Sequence, residues 1–324
     1  MEIREVDAHD AVQLRAWYDA LEAAISQDRP HAVSRTFDAL VTQLTVPSDY
    51  RESVLLAAVE DDEVVGVAEL GYSLRDNLHL ADLEVTVHRE HRRRGVGRAL
   101  YAAATDRRRS AGRTSACGEL CVVDDDGPLV FARSMGADSV HEEDHLMLEL
   151  PLSEDHLREL AATGASDYEI VTWQGRCPDD LIDAYAEMRT QMNQDVPSGE
   201  LDHEAVVMTP ERIRAGEERL SKSYDIVVAA ARRADGVLGG YSLVFLPRGR
   251  DQVLQDDTLV MPAHRGHRLG LALKLATYAV VTAEHPDRAT LHTWTDPENH
   301  AMYATNRAFG YRPVERLHEV QVKD

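Results

Sequence analysis

The feature that most restricts this chain is an internal repeat. Residues 87 to 100 read VHREHRRRGVGRAL, and residues 260 to 273 read VMPAHRGHRLGLAL. Laid over each other without gaps, six of fourteen positions agree: Val87/Val260, His91/His264, Arg92/Arg265, Gly97/Gly270, Ala99/Ala272 and Leu100/Leu273. The offset is 173 residues. A second landmark keeps almost the same register. Phe131 to Ala137 lines up with Arg307 to Tyr311 when Gly136 is set on Gly310, an offset of 174. Two landmarks held in register point to duplication of a whole domain. A length of 324 residues suits two domains of ordinary size. The expected boundaries are 1–150, a linker 151–167, and 168–324.

Hydrophobic spacing gives both halves a similar order of elements. In the first, a strand at 3–6 leads into a helix carrying Leu14, Trp17, Tyr18, Leu21 and Ile25, which is the spacing of one buried helical face. Strands are expected at 54–59, 64–70 and 78–87, then a helix at 96–110, a strand at 116–123, a short helix at 128–135 and a strand at 145–150. The linker contains a short helix at 154–162. In the second half a strand at 168–173 precedes a helix that opens at Pro178 and runs to Met192. Thr209 followed by Pro210 reads as an N-cap with proline at the first helical position. Strands at 226–230, 237–245 and 253–260 follow, then a helix to Ala283, a strand at 289–295, a helix at 299–308 and a strand at 316–322.

Charge narrows the partners. Lys and Arg number 35 against 57 Asp and Glu, a formal net charge of −22. Such a surface repels a polyanion and attracts a cation, so a small-molecule amine is the expected partner and nucleic acid is not. No apolar run is long enough to span a bilayer, and no membrane partner is expected. The first residues lack a basic stretch followed by an apolar core, so no signal peptide is expected. Three cysteines make no disulfide framework, which fits a reducing, cytoplasmic setting. Cys117 and Cys121 share one strand face without accompanying histidines, so no metal site is expected. The chain is expected to be a monomer or homodimer.

A strand, then R-x-x-G-x-G opening a helix, then a strand and a short helix ending in an aromatic-Gly-aromatic step, resembles the GNAT superfamily of acyl-CoA-dependent N-acyltransferases. The motif stands as Arg92-Arg93-Arg94-Gly95-Val96-Gly97 in the first half. The resemblance covers nearly the whole chain as two tandem copies. It implies an α/β (α+β) fold in each: a mixed, mainly antiparallel sheet flanked by helices and splayed where the cofactor enters. It also implies that acetyl-CoA is the cofactor. The physics of the motif agrees. Helix N-terminal N–H groups are unpaired and partly positive, a site suited to a pyrophosphate. Arg92, Arg93, Arg94 and Arg98 add charge there, and Gly95, Val96 and Gly97 supply the backbone approach. The second copy reads Arg265-Gly266-His267-Arg268-Leu269-Gly270, with Arg268 where the first glycine belongs. Arg268 either touches a phosphate or blocks the loop.

The resemblance further places pantetheine-binding backbone amides at Val85, Thr86 and Val87, and at Leu259, Val260 and Met261. A general base on the cleft side lies an even number of residues before Val87 or Val260. In the first copy those positions are the apolar Val85, Leu83 and Ala81. In the second they are Thr258, Asp256 and Leu254, which makes Asp256 the candidate base. Asp257 and Glu84 fall on the opposite face unless a bulge intervenes. The family's usual acid is a tyrosine four residues before the glycine of the aromatic-Gly-aromatic step. Here that position is Ala132 or Asn306, and neither can give up a proton. Tyr303, one helical turn before Asn306, is the candidate replacement. Asn299 matches an asparagine that the family uses near the pantetheine, and equally suits an N-cap.

These residues suggest a catalytic second copy. The first would bind cofactor without turnover or act as scaffold. The expected activity is transfer of an acyl group, acetyl above all, from coenzyme A to a primary amine by direct attack in a ternary complex. Two alternatives stand beside it: a non-catalytic acyl-CoA-binding or regulatory tandem module, and an aminoacyl-tRNA-dependent amide-forming transferase. The charge of −22 opposes the last.

Overall fold

A computed structural model describes residues 1–162, 167–195 and 199–324. In chain order the elements are β1 (Glu2–Glu5), α1 (Ala11–Asp28), α2 (Phe37–Thr45), β2 (Arg51–Glu60), β3 (Glu63–Ser73), β4 (Leu80–Val87), α3 (Val96–Ser110), β5 (Ser115–Val122), α4 (Gly127–Ser134) and β6 (Asp138–Glu149). Then come α5 (Glu154–Ala161), β7 (Tyr168–Gln174), α6 (Ile182–Asp195), α7 (Pro210–Leu220), β8 (Tyr224–Arg233), β9 (Leu238–Pro247), β10 (Gln252–Val260), α8 (Leu269–Glu284), β11 (Thr290–Thr295), α9 (His300–Phe309) and β12 (Arg312–Lys323).

The chain forms two compact units, each drawn from separated stretches of sequence. The first comprises Met1–Glu143, Ser198–Glu204 and Glu315–Asp324, and the second Asp144–Pro197 and Ala205–Val314. The expected contiguous boundaries at 150 and 168 therefore do not coincide with these units. The reason is strand pairing. The sheet of the first unit runs β1-β2-β3-β4-β5-β12, and its last position is taken by the end of the chain, with Arg316 opposite Val122 and Lys323 opposite Ser115. The sheet of the second unit runs β6-β11-β10-β9-β8-β7, and its first position is taken by Asp144–Glu149, the end of the first sequence repeat. Residues 151–161, expected as linker, belong to the second unit.

Each sheet is covered on both faces, which explains the near-continuous apolar runs of its inner strands. In the first unit α1 starts at the N-cap Asp10, whose carboxylate accepts from the Val12 and Gln13 amides. Leu14, Trp17, Tyr18 and Leu21 recur at helical spacing and pack with Leu55, Ala57 and Val67 on one face. On the other face Val96, Leu100 and Ala104 of α3 pack with Val54, Leu56, Ala58 and Leu70. The second unit repeats the arrangement. Tyr185 and Met188 of α6 and Ile213 of α7 meet Val228, Tyr241 and Leu259. Tyr278 and Val281 of α8, Phe309 of α9 and Leu160 of α5 meet Leu146, Val244 and Val253.

Adjacent strands in each sheet run antiparallel, with one exception per unit. β4 and β5 are parallel and pair at Leu80/Ser115, Ala81/Ala116 and Asp82/Cys117. β10 and β11 are parallel and pair at Gln252/Thr290, Val253/Leu291 and Leu254/His292. In both units the pairing then stops, so the strand leading to the Gly-rich turn separates from its neighbour. This is the splay that the family resemblance implies.

Candidate active site

The two Gly-rich turns adopt the same backbone with the glycines in different places. In the first, Arg93 (φ 62°) and Gly95 (φ 89°) are left-handed; in the second, Gly266 (φ 88°) and Arg268 (φ 56°) are. These are equivalent positions at the offset of 173. Arg268 thus takes up the required conformation and leaves the loop intact. Gly95 and Arg268 are the N-caps of α3 and α8, and neither supplies a side-chain hydrogen bond to the helix. The first-turn amides of both helices are left for an anion.

A second shared device fixes the loops. Arg92 Nε donates to the Val87 carbonyl at 3.0 Å, and its Nη2 to Asp28 at the end of α1. Arg265 Nε donates to the Val260 carbonyl at 3.2 Å, and its Nη2 to Asp195 Oδ2 at the end of α6 at 2.8 Å. These two arginines hold the loop rather than stand free for a ligand. Arg93, Arg94, Arg98, His267 and Arg268 are exposed around the helix ends. Val96 and Leu269 are buried core residues and offer only backbone.

The register also sorts the expected backbone donors. The His88 amide donates to the Val65 carbonyl at 3.1 Å, and the Met261 amide to the Gly239 carbonyl at 3.0 Å. In an antiparallel ladder alternate residues bond to the same neighbour. Thr86, Leu259 and Met261 are thereby turned towards β3 or β9. Val85, Val87 and Val260 face the splay. Unpaired amides at the helix ends, exposed arginines and an open strand edge leading to them fit an acyl-CoA.

The two splays differ at one aligned pair. A β-carbon on Gly97 would meet the Phe131 ring at 3.3 Å, whereas one on Gly270 would meet only Thr305 Cγ2, at 4.0 Å. Phe131 and Thr305 are equivalent at the offset of 174. The Phe131 ring of α4 packs against α3 at Gly97, whereas α9 presents only the smaller Thr305 to α8 at Gly270.

Carboxylates stand on the sheet face covered by the first helices. β10 carries a bulge between Gln255 and Thr258, which breaks simple alternation and puts two adjacent acids there. Asp257 Oδ2 accepts from Tyr241 Oη at 2.6 Å and lies 3.2 Å from Arg189 Nε. Asp256 is open to solvent on one side, yet surrounded by enough protein to lose much of its hydration. That desolvation and the Asp257 charge raise its pKa, against a lowering pull from Arg189.

The first unit has its own acids, which the sequence assigned to the wrong side. Leu83, Val85 and Val87 pack onto the α3 core. The other set, Asp82, Glu84 and Thr86, lies on the face where Val67 packs with α1. Glu84 stands directly opposite Glu69, which is bonded to Arg35 and Gln43. Desolvation first, then the charges of Glu69 and Glu119, push Glu84 up to about 7. The first cleft is therefore not free of acids.

Of the remaining candidates, Tyr303 Oη donates to Asp144 Oδ2 at 2.9 Å. Asn306 is buried, and its Nδ2 donates to Thr295 Oγ1 at 2.9 Å. Asn299 is the N-cap of α9 and accepts from the Met302 amide at 3.3 Å. Arg189, Tyr241 and Asp144 are functional candidates that sequence reasoning missed, and Asp257 is one that it placed on the opposite face unless a bulge intervened. Asp144 carries no local signal, because it is 159 residues from Tyr303.

Residues 14–130 match the acetyltransferase (GNAT) family. The chain is similar over 99% of its length to a tandem GNAT protein from the clavulanic acid biosynthesis pathway, with TM-score 0.83, 27% identity and 98% of that chain covered. A GCN5-related N-acetyltransferase from Sphaerobacter thermophilus gives TM-score 0.69 at 15% identity, covering 99% of this chain and 95% of that one. An N-myristoyltransferase from Saccharomyces cerevisiae gives 0.64 at 13%, covering 99% and 80%. The last two show likeness of fold alone. No curated protein matches the sequence. The chain has the fold of a tandem GNAT protein, with the family match in its first half, and that fold supports acyl-CoA-dependent acyl transfer. No helix among the described residues is long and apolar enough to cross a membrane.

Proposed function

We propose that the chain transfers an acyl group, acetyl in the first instance, from acyl-CoA to the primary amine of a small molecule, and that the second unit performs the transfer. The observation that carries this is Asp256. It is an open carboxylate with raised proton affinity, at a bulge in the strand that leads to the phosphate loop. Acyl-CoA supplies an activated carbonyl on a good leaving group. Asp256 takes the proton from the attacking amine, which is protonated in water and needs a base near the working pH. The amides of Val260 and of the first turn of α8 orient the cofactor. Tyr303, fixed by Asp144, is the proposed source of the proton for the leaving thiolate. The first unit has a comparable acid in Glu84, but the Phe131 ring crowds the start of α3 at Gly97. Its proposed role is structural or regulatory.

A non-catalytic acyl-CoA-binding module is favoured by one observation: Tyr303 and Asn306 are already bonded within the fold. Coenzyme A release from acetyl-CoA, measured against a panel of small primary amines, decides between the two. Amine-dependent release that falls by about 10²-fold or more in Asp256→Asn supports the transferase. No amine-dependent release, or release within about threefold of wild type in that variant, removes the proposed role of Asp256.

A further inference from the structure

We infer that Asp257, clamped by Tyr241 and Arg189, is a positioning residue that sets the pH range over which Asp256 can accept a proton. The inference rests on Asp256 being the base proposed above, and it concerns residues to which no role has been attached.

The geometry begins with the bulge. In a regular antiparallel strand, neighbours 256 and 257 would lie on opposite faces. The register of β10 against β9 instead jumps from Gln255/Val244 to Thr258/Ser242, so two residues occupy the space of one. Gln255 and Thr258 are tied to Ser242 on one face, by Gln255 Nε2 at 3.1 Å and Thr258 Oγ1 at 2.8 Å. Asp257 is tied on the other, by Tyr241 Oη. Asp256 is the residue between these anchors, and its carboxylate makes no ion pair among the described residues. The bulge frees Asp256 and seats Asp257 beside it.

Asp257 has what an ionised carboxylate requires. A phenol donates to it at 2.6 Å and a guanidinium lies at 3.2 Å. Arg189 is oriented in turn by Tyr185 Oη, at 3.4 Å from its Nη1. The negative charge of an acid so held penalises a second negative charge next to it. The groups facing Asp256 are Asp257 from β10 and Arg189 and Tyr185 from α6; Tyr241 from β9 acts through Asp257. Two influences of opposite sign therefore act on one carboxyl group. Asp257 favours its protonated form and Arg189 its ionised form.

This opposition makes the test specific. The full chain, labelled with carboxyl-¹³C aspartate, is titrated by NMR without substrate, and the Asp256 resonance is identified by its loss in Asp256→Asn. In Asp257→Asn, which still accepts from Tyr241, the Asp256 pKa falls by one unit or more. In Arg189→Gln it rises. In Asp257→Glu, which keeps the charge, it stays near wild type. Loosening of the site would move both variants in the same direction. Shifts of the same sign, or none, overturn the inference. Failure of the base assignment is separate: it appears as an active Asp256→Asn enzyme, whatever the titration shows.

Discussion

Arg268 holds, at φ 56°, the left-handed position in the second phosphate loop that Gly95 holds, at φ 89°, in the first. A β-carbon in that conformation costs roughly 1–2 kcal/mol. Nothing lies within 4 Å of a β-carbon built on Gly95, so the cost there is conformational alone. Gly95→Ala is expected to destabilise the protein by about 1 kcal/mol, and Arg268→Gly to be neutral or stabilising by a similar amount. Urea unfolding of the two variants measures both. A clear loss of stability in Arg268→Gly would mean that its side chain contributes more than the strain removes.

The loop and the helix behind it are legible in the sequence, because each depends on local chemistry, whereas the splay is implied only by the family resemblance. Left-handed turns select glycine, and the α3 stripe of Val96, Leu100 and Ala104 shows its buried face by spacing. What lies beyond local chemistry is hidden. Backbone pairing leaves no mark on side chains, so the placement of β12 beside β5 cannot be read from either strand. Alternation counted back from Val87 selects Val85 and Leu83, but these face the core under α3. The polar set that includes Glu84 faces the other way. The β10 bulge has no sequence signature, and without it the pairing of Asp256 with Asp257 is invisible. The α2 segment (Phe37–Thr45) also escaped, although Thr36 caps it by accepting from the Ala39 amide.

Tyr303 and Asp144 form a pair that kinetics can separate from packing. If Tyr303 protonates the leaving thiolate, Tyr303→Phe lowers kcat by about 10²-fold with KM for acetyl-CoA unchanged. Asp144→Asn, which still accepts from the hydroxyl, lowers it less. Wild-type kcat in Tyr303→Phe would make the tyrosine a packing residue.

The pH profile follows from the direction of the Asp256 shift. A base must be ionised to act, and the Asp256 pKa is raised to about 7. Activity is therefore expected at and above neutrality and to fall about tenfold per pH unit below it. Glu84 is raised to a similar value, so the profile alone does not identify the base. Glu84→Gln is expected to keep kcat/KM within about threefold and to leave the acid limb in place. Loss of that limb with Glu84 would move the chemistry to the first unit.

Lys274 on α8 is buried, with its Nζ 5.6 Å from the centre of the Tyr311 ring. Desolvation lowers its pKa from 10.5 to about 7. The unfolded chain therefore binds the proton more tightly than the folded one between those values. Stability lost to this lysine is lost fully below about 7 and recovered as pH rises towards 10.5. Lys274→Met is expected to raise Tm by several degrees at pH 6, with the gain gone near pH 10. A pH-independent gain would show that packing, rather than the charge, is responsible.

The placement of the chemistry in the second unit is tested most directly by acetyl-CoA titration of the full chain by calorimetry, in wild type, Gly97→Glu and Gly270→Glu. A carboxylate in the first turn of a helix suits the helix dipole and repels a phosphate. Because a β-carbon on Gly97 meets the Phe131 ring at 3.3 Å, thermal unfolding confirms that each variant is folded before its titration is read. Binding heat that is lost in Gly270→Glu and retained in Gly97→Glu is the predicted result. Binding that survives Gly270→Glu and disappears in Gly97→Glu would contradict it and place the cofactor in the first unit.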